Sequence, residues 1–329
     1  MTLASGCGNK TLIRIGGGNI KSVMVLLIIG VIAYFMLNPF PGSDQTLMSV
    51  LFIDWIRPMA VSLSGPQDLG SLVSSESAAT ARIIIGGAFA AALLAFIFKS
   101  AEFRGSFDNI LGGLAVGAAV LALWFASSNV MLSFESMFDG EVTVPVREFL
   151  DPTTSQWDMN EDVHGGWSAG KPDMAAFSPQ SFTFINPMGQ TLGYGAGGLD
   201  ISLLSIGIVA LLGVIAGSFL WAIVSKNFRF EWFTGTRDFL NHFVGAVLMG
   251  FGGTLAMGCT IGQGITGVST LAIGSIISLV SIVLGSALTM KVQYYRMVYE
   301  EEATFAKALI TGLVDMRLLP ASMRKLEAI

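Results

Sequence analysis

Cys7 and Cys259 are the only thiols among 329 residues, and each closes a near-identical phrase. The first reads Leu3-Ala4-Ser5-Gly6-Cys7 and the second Leu255-Ala256-Met257-Gly258-Cys259. Behind each lies a stretch of Gly, Thr and amide residues, followed by a long apolar run. That stretch is Gly8-Asn9-Lys10-Thr11 through Gly16-Gly17-Gly18-Asn19 in one copy and Thr260-Ile261-Gly262-Gln263-Gly264-Ile265-Thr266-Gly267 in the other. A glycine-rich break leaves backbone N–H groups free, and these, with the positive ends of neighbouring helices, make an anion site. A thiol adds a soft, polarizable atom and a weak S–H donor. Together they suit an oxyanion with a terminal sulfur better than they suit sulfate or phosphate. The candidate binding residues are Cys7 with Gly6, Gly8 and Asn9, and Cys259 with Gly258, Thr260, Gly262, Gln263 and Gly264.

The elements that must carry these phrases follow from composition. The chain is 53% hydrophobic and 12% charged, with 39 Gly and a mean hydropathy of +0.68. Soluble domains carry about 25% charged residues, so this is a membrane protein. A hydrocarbon core of about 30 Å takes roughly 20 apolar residues per helix. Six windows come close: Val23–Phe40, Ile83–Phe98, Ile110–Leu132, Ile201–Val224, Phe239–Gly258 and Val268–Met290. A seventh, Leu47–Ser64, is interrupted by Asp54, Arg57 and Pro58 and is expected at the interface or packed inside the protein.

Between the third and fourth windows, residues 133–198 form a polar insertion. It carries nine acidic residues against Arg147 and Lys171, a net charge of −7 in a chain of −5. Cytoplasmic loops are enriched in Lys and Arg, so the insertion is expected outside. The short loops with Lys99 and Arg104, and with Lys226, Arg229 and Arg237, are expected inside. The two cysteine phrases then run in opposite directions, as in the inverted-topology repeats of secondary transporters. The expected architecture is an all-α polytopic membrane protein whose Gly-rich broken segments meet near the membrane midplane. Its parts are 1–132 (first repeat, three spans), 133–198 (acidic extracytoplasmic loop), 199–293 (second repeat, three spans) and 294–329 (cytoplasmic amphipathic tail).

Other readings of the same residues are weaker. A buried cysteine is most often a small hydrophobe, but two cysteines at one place in two repeats count against that. The glycines around Cys259 could serve close helix packing; their crowding with Thr260, Gln263 and Thr266 argues for a lined break. Gly6-Cys7-Gly8-Asn9-Lys10-Thr11 lacks the spacing and the preceding strand of a phosphate-binding loop. Six residues before Cys7 leave no room for a lipoprotein signal, and no paired low-pKa cysteines suggest redox work. There is no Cys/His cluster for a metal, and His164 and His242 are the only histidines. Asn241 and His242 are expected at an interface. Gln67-Asp68 and Ser178–Pro187 read as loops at a mouth that Phe182 and Phe184 could plug.

The two cysteine phrases, together with Arg229 to Asp238 and Ser181 to Leu192, resemble the YeeE/YedE family of bacterial inner-membrane sulfur transporters, whose best-understood members take up thiosulfate. The resemblance implies an hourglass-shaped inverted repeat with a narrow, cysteine-lined waist at Cys7 and Cys259. It also implies a multi-pass place in the bacterial inner membrane and a small soluble sulfur-carrier protein at the cytoplasmic face. Family members carry about two more helices and a further cysteine before the first motif, so an upstream-encoded helical fragment is a further expected partner. The alternatives are a transporter or channel for another small anion or selenium/sulfur species, and a non-transporting truncated membrane remnant or subunit. No enzyme, cofactor, metal or nucleic-acid function is expected.

Overall fold

A computed structural model describes residues 1–59, 67–74, 76–136, 140–149, 179–299 and 302–327. About half of the acidic insertion, including Asp139, Asp151, Asp158, Glu161, Asp162, His164, Lys171, Asp173 and Ser178, lies outside the described residues, as do Ser64, Glu300 and Glu301. Nine helices organise the rest: α1 (Gly8–Gly16), α2 (Ile20–Leu37), α3 (Ala78–Lys99), α4 (Phe107–Ser128), α5 (Ile185–Ala196), α6 (Ile206–Val224), α7 (Thr236–Leu255), α8 (Ile273–Val298) and α9 (Phe305–Asp315), with shorter turns between them. α2, α3, α4, α6 and α8 are each long and apolar enough to cross a membrane, so the chain is a multi-pass helical membrane protein. α7 has the length as well, but Asp238, Asn241 and His242 in its first two turns lower its hydropathy.

The chain divides into two compact units, residues 83–182 and the remainder. Within the smaller unit, α4 is followed by a hairpin of Met131–Ser136 with Gly140–Pro145, the one two-stranded sheet among the described residues. Further on, the chain is tied back to α4: Ser127 Oγ donates to Gln180 O (2.7 Å), and Ser181 Oγ donates to Val120 O (3.0 Å).

The larger unit is built around α2. Its mean hydropathy is the same on all sides, and what distinguishes its buried face (Ser22, Val25, Ile29, Gly30, Ala33, Met36) is the fit of its neighbours. α5 lies on one side. A Cβ on Gly189 would stand 2.9 Å from Tyr34 N, and one on Gly30 would stand 3.0 Å from Met188 O. α7 lies on the other, where a Cβ on Gly250 would meet Ile32 at 2.9 Å. In lipid, helices associate through such small-residue contacts and the dispersion they allow, since burial from water contributes little. α5 is twelve residues long, so hydropathy alone left it inside the polar insertion. Its Ile185, Pro187, Met188 and Gly189 are nevertheless buried.

The interrupted segment Leu47–Ser64 is helical but irregular. A π-turn (Ser49–Ile53), one α-turn and a 3₁₀ turn (Arg57–Met59) succeed one another, and the ring of Phe52 stands 6.1 Å from that of Phe251 on α7. α8 continues past the expected end at Met290, because nothing in Lys291 to Val298 breaks a helix. The tail then folds back on it. Val292, Tyr295, Ala303, Ala308 and Leu326 form a small core. Asp315 beside that core takes hydrogen bonds from Tyr295 Oη (2.6 Å), Lys291 Nζ (3.2 Å) and Arg324.

Two predictions follow from this packing. Gly189→Val places a branched side chain against the backbone of α2 and is expected to destabilise the larger unit by about 1–3 kcal/mol, read as a lower thermal midpoint in detergent, whereas Ala at the exposed Gly195 should not. The second concerns pH. Burial raises the Asp315 carboxyl, and the bonds from Tyr295, Lys291 and Arg324 more than reverse that, so it lies below the ordinary carboxylate range. A lowered folded-state value stabilises the docked tail at every pH above the unfolded value of about 3.9, and that stabilisation is lost as pH falls through the folded value. The protection factor of the α9 amides, their exchange relative to the intrinsic rate at each pH, should therefore be high and flat from neutrality to about pH 5 and fall below about pH 4. Asp315→Asn should show low protection throughout.

Candidate anion site at the two cysteines

The two cysteine phrases fold alike, bond for bond. Ahead of Cys259, α7 ends in a Schellman closure: Met257 N donates to Thr254 O (2.9 Å) and Gly258 N to Gly253 O (2.9 Å). Ahead of Cys7, Ser5 N donates to Thr2 O (3.3 Å) and Gly6 N to Met1 O (3.0 Å), the same pair of bonds at the same offsets. Both closures hold a non-glycine residue in the left-handed region, Ser5 at φ 58° and Met257 at φ 54°. Each such residue costs on the order of 1–3 kcal/mol.

Behind each cysteine a short helical segment begins. Cys7 is the N-cap of α1, and its side chain makes no capping hydrogen bond. Cys259 is followed directly by helical residues that run into a π-helical turn, Gly262–Gly267. A second left-handed residue then closes each segment, Gly18 (φ 96°) in one and Leu271 (φ 56°) in the other. The next residue is the N-cap of the long helix, Asn19 for α2 and Ala272 for α8. The second copy is one residue longer over this stretch, and a π-turn accommodates one extra residue per turn. Each N-cap is also pinned by a distant strand-like bridge, Asn19 to Glu231 and Ala272 to Asp68.

The two copies meet. A Cβ on Gly8 would stand 3.4 Å from both Ile185 and Met188 and 4.0 Å from Cys259 Cβ. Gly8 and Ile185 are the first residues of α1 and α5, and neither helix has a side-chain cap at its N-cap residue, Cys7 or Phe184. Three helical N-termini, those behind Cys7, Phe184 and Cys259, thus converge. Cys259 Sγ receives Gly262 N at 3.4 Å, and the backbone N–H groups of Ile261 and Phe184 also face it. Cys259 is 5% exposed and Cys7 is half-buried, and both are free thiols. They line one cavity of about 610 Å³ together with Gly8, Gly258, Thr260, Ile185 and the α8 residues Ser278 and Ser281.

Of the residues singled out by sequence, Cys7, Gly8, Gly258, Cys259 and Thr260 line this cavity. Gly6 and Asn9 flank it without lining it. Gly262 contributes its N–H to the Cys259 sulfur, while Gly264 faces Leu279 of α8. Gln263 is turned away: its Nε2 donates to Ala256 O and its Oε1 accepts from Ser275 Oγ, so its amide ties the end of α7 to the start of α8. Phe184, expected as a plug, is 2% exposed and stands at the N-cap of α5. Sequence reasoning missed Ile185, Thr183 and the N-terminus of α5. Their only sequence signal was the Phe182-to-Pro187 stretch, which read as a loop. His242 sits inside the protein, 5% exposed, with Nδ1 2.8 Å from Asp238 O. The Asp238 carboxylate also pairs with Lys21 Nζ at 2.8 Å, joining the starts of α2 and α7.

Comparison with known proteins gives the family of the chain. A family model described as sulphur transport matches residues 1–288. Over 86 residues the chain is 35% identical to the thiosulfate transporter TsuA of Escherichia coli (strain K12), a stretch amounting to 26% of this chain and 24% of that protein. The match thus spans about a quarter of the relative's length. With the family model covering all but the last 41 residues, this chain belongs to the sulphur-transport family of membrane proteins, the YeeE/YedE family that its cysteine phrases resemble.

Proposed function

We propose that this chain takes up thiosulfate, or a closely related anion with a terminal sulfur, across the bacterial inner membrane through a waist lined by Cys7 and Cys259. The observation that carries the reading is the convergence of three helical N-termini, two of them without a side-chain cap and the third capped by the Cys259 sulfur, at the cavity that both thiols line. Helix N-termini favour negative charge. Irregular backbone at membrane depth is tolerated only where protein buries it or a cavity hydrates it. In this reading the oxygens of the anion face the N–H groups at Gly8 and around Cys259, and the terminal sulfur passes between the thiols. Thr260 contributes a hydroxyl at the cavity wall. Gln263 and Gly6 act by holding the two turns in place.

The repeat also supports a helical partner. α7 delivers Cys259 and packs on α2, the helix that follows Cys7. The corresponding face of α8 borders the cavity beside Met1 and Thr2 with Ser278, Ser281, Gly285 and Thr289. These residues fall on one helical face, and small residues of this kind admit close approach of another helix. A helix leading into the first motif, from the same or a separate polypeptide, fits there. A small sulfur-carrier protein at the cytoplasmic side would take the delivered sulfur. The division into two three-span repeats with an acidic external loop is the arrangement proposed to hold the waist. A channel for another small anion is the alternative reading that the same N-termini would serve.

The test is uptake. In cells given thiosulfate as the sole sulfur source, or in proteoliposomes with radiolabelled thiosulfate, the chain with its helical partner should transport. Cys259→Ala and Cys7→Ala should each lower uptake by about tenfold or more, the equivalent of one lost hydrogen bond to a charged group. Sulfate should compete poorly. Transport that survives both alanine changes would remove the thiols from the pathway, and equal competition by sulfate would favour the general anion channel.

A further inference from the structure

Two buried polar atoms near the cysteines have no hydrogen-bond partner among the described residues, Thr183 Oγ1 and Asn186 Oδ1. Both belong to the chain entering α5, one residue on either side of Phe184 and Ile185. Of the two, Thr183 immediately precedes Phe184, the N-cap residue of α5. Its side chain lies against the two glycines that flank Cys259. A Cβ on Gly262 would stand 2.5 Å from Thr183 Oγ1 and 2.9 Å from Thr183 Cβ, and one on Gly258 would stand 3.4 Å from Thr183 Oγ1. Glycine at 262 is therefore what admits this hydroxyl. A buried hydroxyl without a partner costs more than an apolar group of the same shape. Native structures keep few of them, and those few call for an explanation such as a ligand.

The position of the hydroxyl supplies that explanation. The cavity that Cys7, Cys259 and Ile185 line does not include Thr183, so the hydroxyl lies beyond the Cys259 turn. The next residue, Phe184, turns its backbone N–H toward the Cys259 sulfur. We propose that Thr183 is a substrate-contacting residue of the transport pathway, the donor that takes an oxygen of the sulfur anion as it moves past Cys259. This rests on the thiosulfate reading above. The hydroxyl has no partner among the described residues, and the passing anion supplies the acceptor it lacks. Val at this position keeps the shape and removes only the donor; Ser keeps the donor.

That difference makes the proposal separable from a packing role. Thr183→Val, Thr183→Ser, Cys259→Ala and the unaltered chain are compared in thermal midpoint and in concentration-dependent thiosulfate uptake in proteoliposomes. Thr183→Val is expected to melt at the same temperature or higher, because an unpaired buried hydroxyl is gone, and yet to show a KM for thiosulfate raised about tenfold. Thr183→Ser should keep KM within about threefold, the lost methyl being a matter of packing. A Val variant that is more stable and transports with unchanged KM and Vmax would overturn the proposal, since the hydroxyl would then be only a packing defect. Should the Val variant not fold, Thr183→Ala against Thr183→Ser carries the same comparison. Loss of uptake in Cys259→Ala with normal uptake in Thr183→Val would sink this inference alone. No thiosulfate uptake by the unaltered chain together with its helical partner would sink the reading beneath it as well.

Discussion

The arrangement around the two cysteines turns on one packing contact, that of Gly8 at the start of α1 with the Cys259 turn. A Cβ on Gly8 would stand 4.0 Å from Cys259 Cβ and 3.4 Å from Ile185 and Met188, in van der Waals contact. The turn at Cys259 is filled on its other side by Thr183, whose Oγ1 would stand 2.5 Å from a Cβ on Gly262. Because each cysteine follows a Schellman closure and precedes a helical start, this contact brings two thiols and three helical N-termini to one place. Helix N-termini favour negative charge. The glycines and the strained Ser5 and Met257 are the local costs of reaching that geometry.

The supports are arranged around this approach. α2 is clasped by α5 and α7, and both contacts are made where glycine removes a side chain. Asn19 and Ala272, which begin the two long helices behind the motifs, are each bridged to residues far away in sequence. Gln263 ties the end of α7 to the start of α8, and the Lys21–Asp238–His242 group ties the start of α7 to the start of α2. The candidate site is thus framed by helices whose ends are fixed, while the turns at the cysteines carry the irregular backbone.

Much of this was legible in the chain. Hydropathy located five spanning helices within a few residues, and the twin phrases marked the two turns that fold alike. What could not be read is what depends on distant partners. α5 is too short and too polar to register as a span, yet it fills the space beside α2 and points its N-terminus at Cys259. Gln263 looked like a ligand because amides often are, and only the positions of Ala256 and Ser275 show that its amide is occupied. The π-turn at Gly262–Gly267 leaves no pattern of its own; it shows only as one extra residue once the two copies are superposed bond by bond. Thr183 drew no notice for the same reason, since its meaning lies in glycines about 75–80 residues further along the chain.

The central claim is that both thiols face one site for an anion with a terminal sulfur. The most direct test is the alkylation rate of each cysteine by a small maleimide in membranes, followed by mass spectrometry of the two cysteine-bearing peptides, with thiosulfate, sulfate or neither present. The account predicts that thiosulfate slows modification of Cys7 and Cys259 together, over one concentration range, and that sulfate at the same concentration does not. Protection of one cysteine only, or equal protection by sulfate, would contradict it.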